Sequence, residues 1–254
     1  MSGFSTPRLD ENVAPQASAG PKRPTVCVFC GAYPGTSPVH LEAARALARI
    51  LHENGIGLVY GGGTVGVMGE LAKTLVSLSG PDAVHGVIPE ALLKFERNYD
   101  HNGDSVDHKN GTIKPDPQKV IDETKYGRTT VVKDMHTRKQ TMAKEVVQGG
   151  LGSGFVALSG GYGTLEELME VVTWNQLGIH ASPIVVFNVD DYWTGLLQWV
   201  HKAVDSGFVK KENAGIMVEA QTAEEVVARL KDYKTAEGRF ELQWHDNLTT
   251  AGKE

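Results

Sequence analysis

The chain has 254 residues, 41% of them hydrophobic and 22% charged, with a formal net charge of −6 and a pI near 5.9. That length buries a full core and is compatible with one large α/β domain. An acidic chain without a basic block argues against nucleic acid as a main partner. No apolar run reaches membrane-span length and no apolar N-terminal segment resembles a signal peptide, so a cytoplasmic location without a membrane partner is expected.

Residues 1–23, rich in Pro, Ser, Ala and charge, show no periodicity and read as a disordered arm. The first strand is expected over Thr25–Cys30 and carries both cysteines, Cys27 and Cys30. On a strand, residues three apart face opposite sides, so a bridge between them is strained. No second pair completes a zinc site, and the two are expected as buried thiols. Val39–Asn54 has helical periodicity and Gly55 closes it; Ile56–Tyr60 is the second strand. The loop 61–66 turns into a helix running to Ser79, and Ala83–Ile88 is a third strand stopped by Pro89.

Residues 97–118 break the rhythm with a long polar stretch, of the kind that forms a lid, an insertion or a disordered loop. Its two histidines, His101 and His108, lack metal-ligand spacing, and no metal is expected. Beyond it come a strand (Arg128–Lys133), a helix (Asp134–Gln148), a buried strand (Phe155–Leu158) and a helix from Thr164. Pro183–Phe187 is another strand, Tyr192–Ser206 a helix, Gly215–Glu219 a last strand, and Thr222 opens a final helix to about Lys231 with capping-box form. Residues 234–254 are expected to be a loose tail. Short apolar strands separated by helices give one domain, residues 24–233, built on a parallel sheet with helices on both faces.

Two glycine loops fall at the carboxyl ends of strands, where such sheets hold ligands. Gly61, Gly63 and Gly66 satisfy the dinucleotide fingerprint, with Glu90 as a possible ribose acid, although glycines at such turns also serve close helix packing. The second loop, Ser159–Glu167, is more specific. Gly160 and Gly161 let backbone approach an anion at a helix start, and Gly163 eases the turn.

Glu167 admits two readings. Thr164-x-x-Glu167 is a capping box, which makes Glu167 structural. Helical geometry instead sets Glu167 beside Val171 and Trp174, while Leu165, Leu168, Met169 and Val172 form another apolar face; Glu166, Glu170 and Thr173 fall between. A carboxylate among apolar groups has a raised pKa and suits proton transfer. A helix apolar on two sides also points to a second subunit.

Upstream, Arg138 and Lys139 lie in the first turns of a helix whose dipole disfavours cations there. Their strand is expected beside the strand of the second loop, so an anion held between the two helix starts removes the conflict. Arg fits a phosphate bidentately. His136 reads as a packing or hydrogen-bonding residue rather than a base.

Gly160-Gly161-Tyr162-Gly163-Thr164-Leu165-Glu166-Glu167, with Asp134-Met135-His136-Thr137-Arg138-Lys139, resembles the "Lonely Guy" (LOG) family of cytokinin riboside 5′-monophosphate phosphoribohydrolases. Val59–Gly63 and Trp174–His180 are similar to family sequence too, and the resemblance runs from about Thr25 to Lys231. It implies a Rossmann-like fold, a homodimer or larger assembly, and hydrolysis of a nucleoside 5′-monophosphate, adenosine or N6-substituted, to free base and ribose 5-phosphate. No metal, PLP or redox cofactor is needed.

By the same resemblance, Arg138 and Glu167 are catalytic, and Gly161, Tyr162, Gly163, Thr164, Leu165 and Glu166 bind phosphate. Lys139, Thr173 and, by spacing, Glu96 contact substrate. The family usually carries proline where Ser159 stands, and the 97–118 and 149–154 segments are additions. A nucleotide carrier without turnover is the alternative function.

Overall fold

A computed structural model describes residues 22–96 and 121–242. Seven parallel strands form one sheet: β1 (Thr25–Phe29), β2 (Gly57–Tyr60), β3 (Val84–Pro89), β4 (Arg128–Val132), β5 (Gly154–Ala157), β6 (Ile184–Phe187) and β7 (Met217–Ala220). Their spatial order is β4-β3-β2-β1-β5-β6-β7. Eight helices connect or follow them: α1 (Val39–Glu53), α2 (Gly66–Ser79), α3 (Glu90–Glu96), α4 (Glu123–Tyr126), α5 (Met135–Val147), α6 (Tyr162–Gln176), α7 (Thr194–Asp205) and α8 (Ala223–Asp232). The Rossmann-like single domain read from the sequence is the observed one.

Strand side chains alternate between two cores. Val26, Val28 and Cys30 face α1, α2 and α8, in one cluster with Leu47, Leu71 and Val226. Cys27 and Phe29 face α5, α6 and α7, in a second cluster with Met142, Leu168 and Trp193. The two thiols therefore sit on opposite faces, free and buried, and burial pushes both pKa values up.

The strand order corrects one expectation. β4 is not beside β5; it is the far edge of the sheet, with β3, β2 and β1 between them. α5 leaves that edge and crosses the sheet, packing on β3, β2, β1 and β5. The crossover, not strand adjacency, carries Arg138 toward the second glycine loop. β1 and β5 are neighbours from which the chain departs in opposite directions. This is the switch point where doubly wound sheets open a crevice at the strand ends. The loops after both strands meet there: Gly31 N–H donates to the Ser159 carbonyl at 3.0 Å.

Several boundaries differ from the sequence reading. Pro89 ends β3 but does not halt the chain, because α3 begins at Glu90. Of the expected arm, Lys22 and Arg23 are described, and Arg23 is held by the carbonyls of Gly55 and Ile56. The tail expected to be loose is anchored at its start. Arg239 donates to the carbonyls of Asn175 and His180, and Phe240 N–H to that of Gln176. The rest of the arm, the polar stretch 97–118 and residues 243–254 lie outside the described residues.

Candidate active site

α6 begins at Tyr162 with Gly161 as its N-cap, and no side chain caps it. The first intrahelical bond runs from Leu165 N–H to the Gly161 carbonyl. The N–H groups of Tyr162, Gly163 and Thr164 thus precede the ladder and point out of the helix start, where the dipole is positive. A Cβ at Gly161 or Gly163 would meet no atom within 4 Å, so both glycines border open space. Gly160 has a different reason to be glycine: a Cβ there would sit 2.1 Å from Thr164 Oγ1 and 2.9 Å from Gly31 N. Tyr162 projects into solvent, 95% exposed.

Glu167 lies in the second turn of α6, on the buried side with Thr164, Leu168, Val171 and Asn175. The capping-box reading fails, because Thr164 is the third residue of the helix rather than its cap. The carboxylate turns inward instead and accepts a hydrogen bond from Arg138 Nη1. Arg138 and Glu167 are each only 7% exposed, and Arg138 Nε donates to the Val87 carbonyl at 3.1 Å. Burial raises the Glu167 pKa; the charge and hydrogen bond of Arg138 oppose that rise.

Outside this pair, Lys139 Nζ bridges Glu166 at 2.6 Å and Glu170 at 3.1 Å. Burial alone lowers the Lys139 pKa, but the two carboxylates win and the net direction is up. Thr173 continues the Glu166–Glu170 stripe, with its hydroxyl donating to the Met169 carbonyl one turn back. Leu165 packs its side chain against the α5–α6–α7 core. The dipole conflict at the start of α5 is eased by Asp134, whose carboxylate caps the helix by accepting from Thr137 N–H at 2.7 Å. His136 is exposed. Glu96 closes α3, and its side chain lies outside the described residues.

The first glycine loop serves this same site. A Cβ on Gly61 would sit 2.0 Å from Arg138 Nη2, so that glycine makes room for the guanidinium. Gly66 has φ +61, and its Cβ position falls 2.4 Å from the Ala32 backbone. Met68 N–H, at the start of α2, donates to the Gly31 carbonyl. The loop after β1 therefore covers the helix start that a dinucleotide would need, and the fingerprint reading loses its anion site.

Residues 66–230 match a family model described as "Possible lysine decarboxylase". A cytokinin riboside 5′-monophosphate phosphoribohydrolase of Arabidopsis thaliana is 41% identical over 209 residues, covering 82% of each chain. The chain belongs to the LOG family. A probable LOG phosphoribohydrolase of Oryza sativa subsp. japonica is 38% identical, with 88% of this chain and 87% of that one covered. A bifunctional cytokinin biosynthesis protein of Fusarium pseudograminearum is 50% identical over 226 residues; these are 88% of this chain but 43% of that protein's length. Among solved structures, a molybdenum cofactor carrier protein from Chlamydomonas reinhardtii shares the fold, with TM-score 0.52 at 18% identity over 83% of this chain and 96% of that one.

Sequence reasoning missed two neighbours of the LOG glycine loop, His40 and Tyr192. Ser159 Oγ lies 2.9 Å from His40 Nδ1, and the Tyr192 hydroxyl donates to the Gly160 carbonyl. Asp190 and Asp191, which precede Tyr192, adopt left-handed backbone with φ of 51° and 56°. Only Ser159 carried a signal, as a departure from the usual proline. Among the described residues, no group of three His, Cys, Asp or Glu side chains is placed to hold a metal ion, and no helix is long and apolar enough to cross a membrane.

Proposed function

We propose that this chain hydrolyses the N-glycosidic bond of adenosine-type nucleoside 5′-monophosphates, releasing free base and ribose 5-phosphate. The observation that carries the reading is the buried Arg138–Glu167 pair set one turn behind the unladdered N–H groups of α6. The names of the LOG relatives point to the same reaction. The 5′-phosphate takes the helix start, contacting Gly160 to Thr164, and its binding positions the sugar. Water adds to C1′ as the C1′–N bond breaks; the bonding pair leaves with the base, which takes a proton from solvent. Positive charge grows on the ribose as the bond stretches, and the Glu167 carboxylate stabilises it and takes the water's proton, which it afterwards returns to solvent. Arg138, by its charge and hydrogen bond, opposes the burial that raises the Glu167 pKa, and it reaches the phosphate or the departing base.

Lys139, Glu166, Thr173, Leu165 and Glu96 complete the substrate-contacting set in this reading. The substrate is small and soluble, so no nucleic acid or membrane partner is required in the cytoplasm. Met169, half-buried on α6 and outside both core clusters, lies on the side that a second copy of the chain would cover in a homodimer or larger assembly.

Decarboxylation through a lysine Schiff base fits poorly. Such a lysine must reach its neutral form, whereas Lys139 sits between two carboxylates that hold it charged. The test is base release from AMP and from isopentenyladenosine 5′-monophosphate, followed chromatographically with wild type and Glu167→Gln. Hydrolysis predicts turnover in wild type and a loss of about 100-fold or more in the variant, with nucleotide affinity retained. A carrier predicts tight binding and no base from either protein, and that result would refute the proposal.

A further inference from the structure

The glycine loop is entered through Ser159. Ser159, at its start, is 6% exposed. A serine leaves its backbone free to turn, where a proline ring would fix φ covalently. Two side chains from elsewhere in the chain act on this loop instead. His40, in the first turn of α1, meets Ser159 Oγ through Nδ1 at 2.9 Å. Tyr192 donates its hydroxyl to the next carbonyl along, that of Gly160. The two rings also pack edge to face, with centroids 5.8 Å apart at 75°.

Tyr192 is delivered there at a cost. It follows two consecutive non-glycine residues in the left-handed region, each costing on the order of 1 kcal/mol or more. Buried Asn188 holds that turn. Its Oδ1 accepts from Trp193 N–H at 2.7 Å, and its Nδ2 donates to Glu219 at 2.7 Å and to Thr194 at 3.1 Å. Trp193 stacks edge-on against Tyr192, with centroids 5.0 Å apart. The strain has a visible product, a half-exposed tyrosine aimed at one loop carbonyl.

We propose that Ser159, His40 and Tyr192 form a brace that positions the glycine loop for the 5′-phosphate, making His40 and Tyr192 positioning residues for the reaction. This inference rests on the phosphate placement proposed above. Phosphate contacts are present in both the ground state and the transition state, so loosening the loop weakens both alike. KM for the monophosphate then rises while kcat holds.

Steady-state kinetics with AMP and with adenosine, which lacks the phosphate, tests the brace in Tyr192→Phe and His40→Ala. Each variant is expected to raise the AMP KM about tenfold with kcat within about twofold, and to leave base release from adenosine at the level wild type gives in the same assay. Ser159→Pro in the His40→Ala background is expected to bring the KM back toward wild type, because the ring replaces the lost bond. Thermal midpoints are recorded alongside; Tyr192→Phe, which removes one oxygen from a half-exposed ring, carries the test where His40→Ala fails to fold. An unchanged AMP KM in Tyr192→Phe, an equal loss on adenosine, or no rescue by Ser159→Pro of a folded His40→Ala overturns the brace. If wild type releases no base from AMP, the proposed hydrolysis is what fails. The brace is then judged on calorimetric AMP affinity across the same variants.

Discussion

Gly61→Ala perturbs the site through the space that Gly61 leaves for the Arg138 guanidinium. The added methyl would fall 2.0 Å from Arg138 Nη2, 3.2 Å from Arg138 Cζ and 3.2 Å from Met68 Sδ. Ordinary contact begins near 3.4 Å, so the guanidinium has to withdraw by more than 1 Å. Arg138 is held at two points, by the Val87 carbonyl and by Glu167. A guanidinium moved that far away from Gly61 loses its geometry on at least one of them. A displacement of about 1 Å in a positioned group costs on the order of 100-fold in rate. The fold pays little, since the crowded atoms end a flexible side chain rather than belong to backbone. The expected result is a kcat for base release from AMP about 100-fold below wild type, with a thermal midpoint within a few degrees of it. A folded Gly61→Ala protein with wild-type kcat would refute the reasoning, for it would show that Arg138 need not hold its place against Glu167.

Gly160→Ala puts a methyl 2.1 Å from Thr164 Oγ1 and against the Gly31 backbone, where nothing yields easily; AMP affinity by calorimetry is expected to fall at least tenfold. Arg138→Met alone leaves the Glu167 carboxyl buried without its cation and is expected to cost about 3–5 kcal/mol in urea unfolding, whereas Arg138→Met with Glu167→Leu should recover most of that loss. His180 sets a pH dependence. Its Nε2 faces the Val171 carbonyl and its Nδ1 accepts from Ser182 N–H, so the ring is held neutral, and burial lowers its pKa from 6.5 to about 4. Between those values the unfolded chain takes up a proton that the folded one refuses. Stability is full above about pH 6.5 and falls by about 3 kcal/mol as pH drops to 4, a loss His180→Gln is expected to abolish in urea titrations at pH 7 and pH 4.5.

The strands, the larger helices and the glycine loop are local in cause, which is why composition and periodicity located them. Val26, Val28 and Cys30 alternate with Cys27 and Phe29 because both faces of a parallel strand are covered, and that pattern is visible residue by residue. Strand order is not local. Nothing in Arg128–Val132 states that three strands separate it from Gly154–Ala157; the reach of α5 across the sheet decides it. Glu167 satisfied two local patterns at once, and the tertiary partner Arg138 chose between them. The aim of Tyr192 at Gly160 depends on a backbone excursion at Asp190 and Asp191, residues whose type favours it only weakly.

The anchorage of Arg239 and Phe240 redraws where this domain can be cut. The last carbonyls of α6 find donors beyond α8, so a shortened protein ending at Tyr233 would fray the very helix whose other end is proposed to hold the nucleotide. Fusion partners and affinity handles on that side belong after Phe240, and trimming the chain to its last helix would read out as weakened catalysis far from the cut.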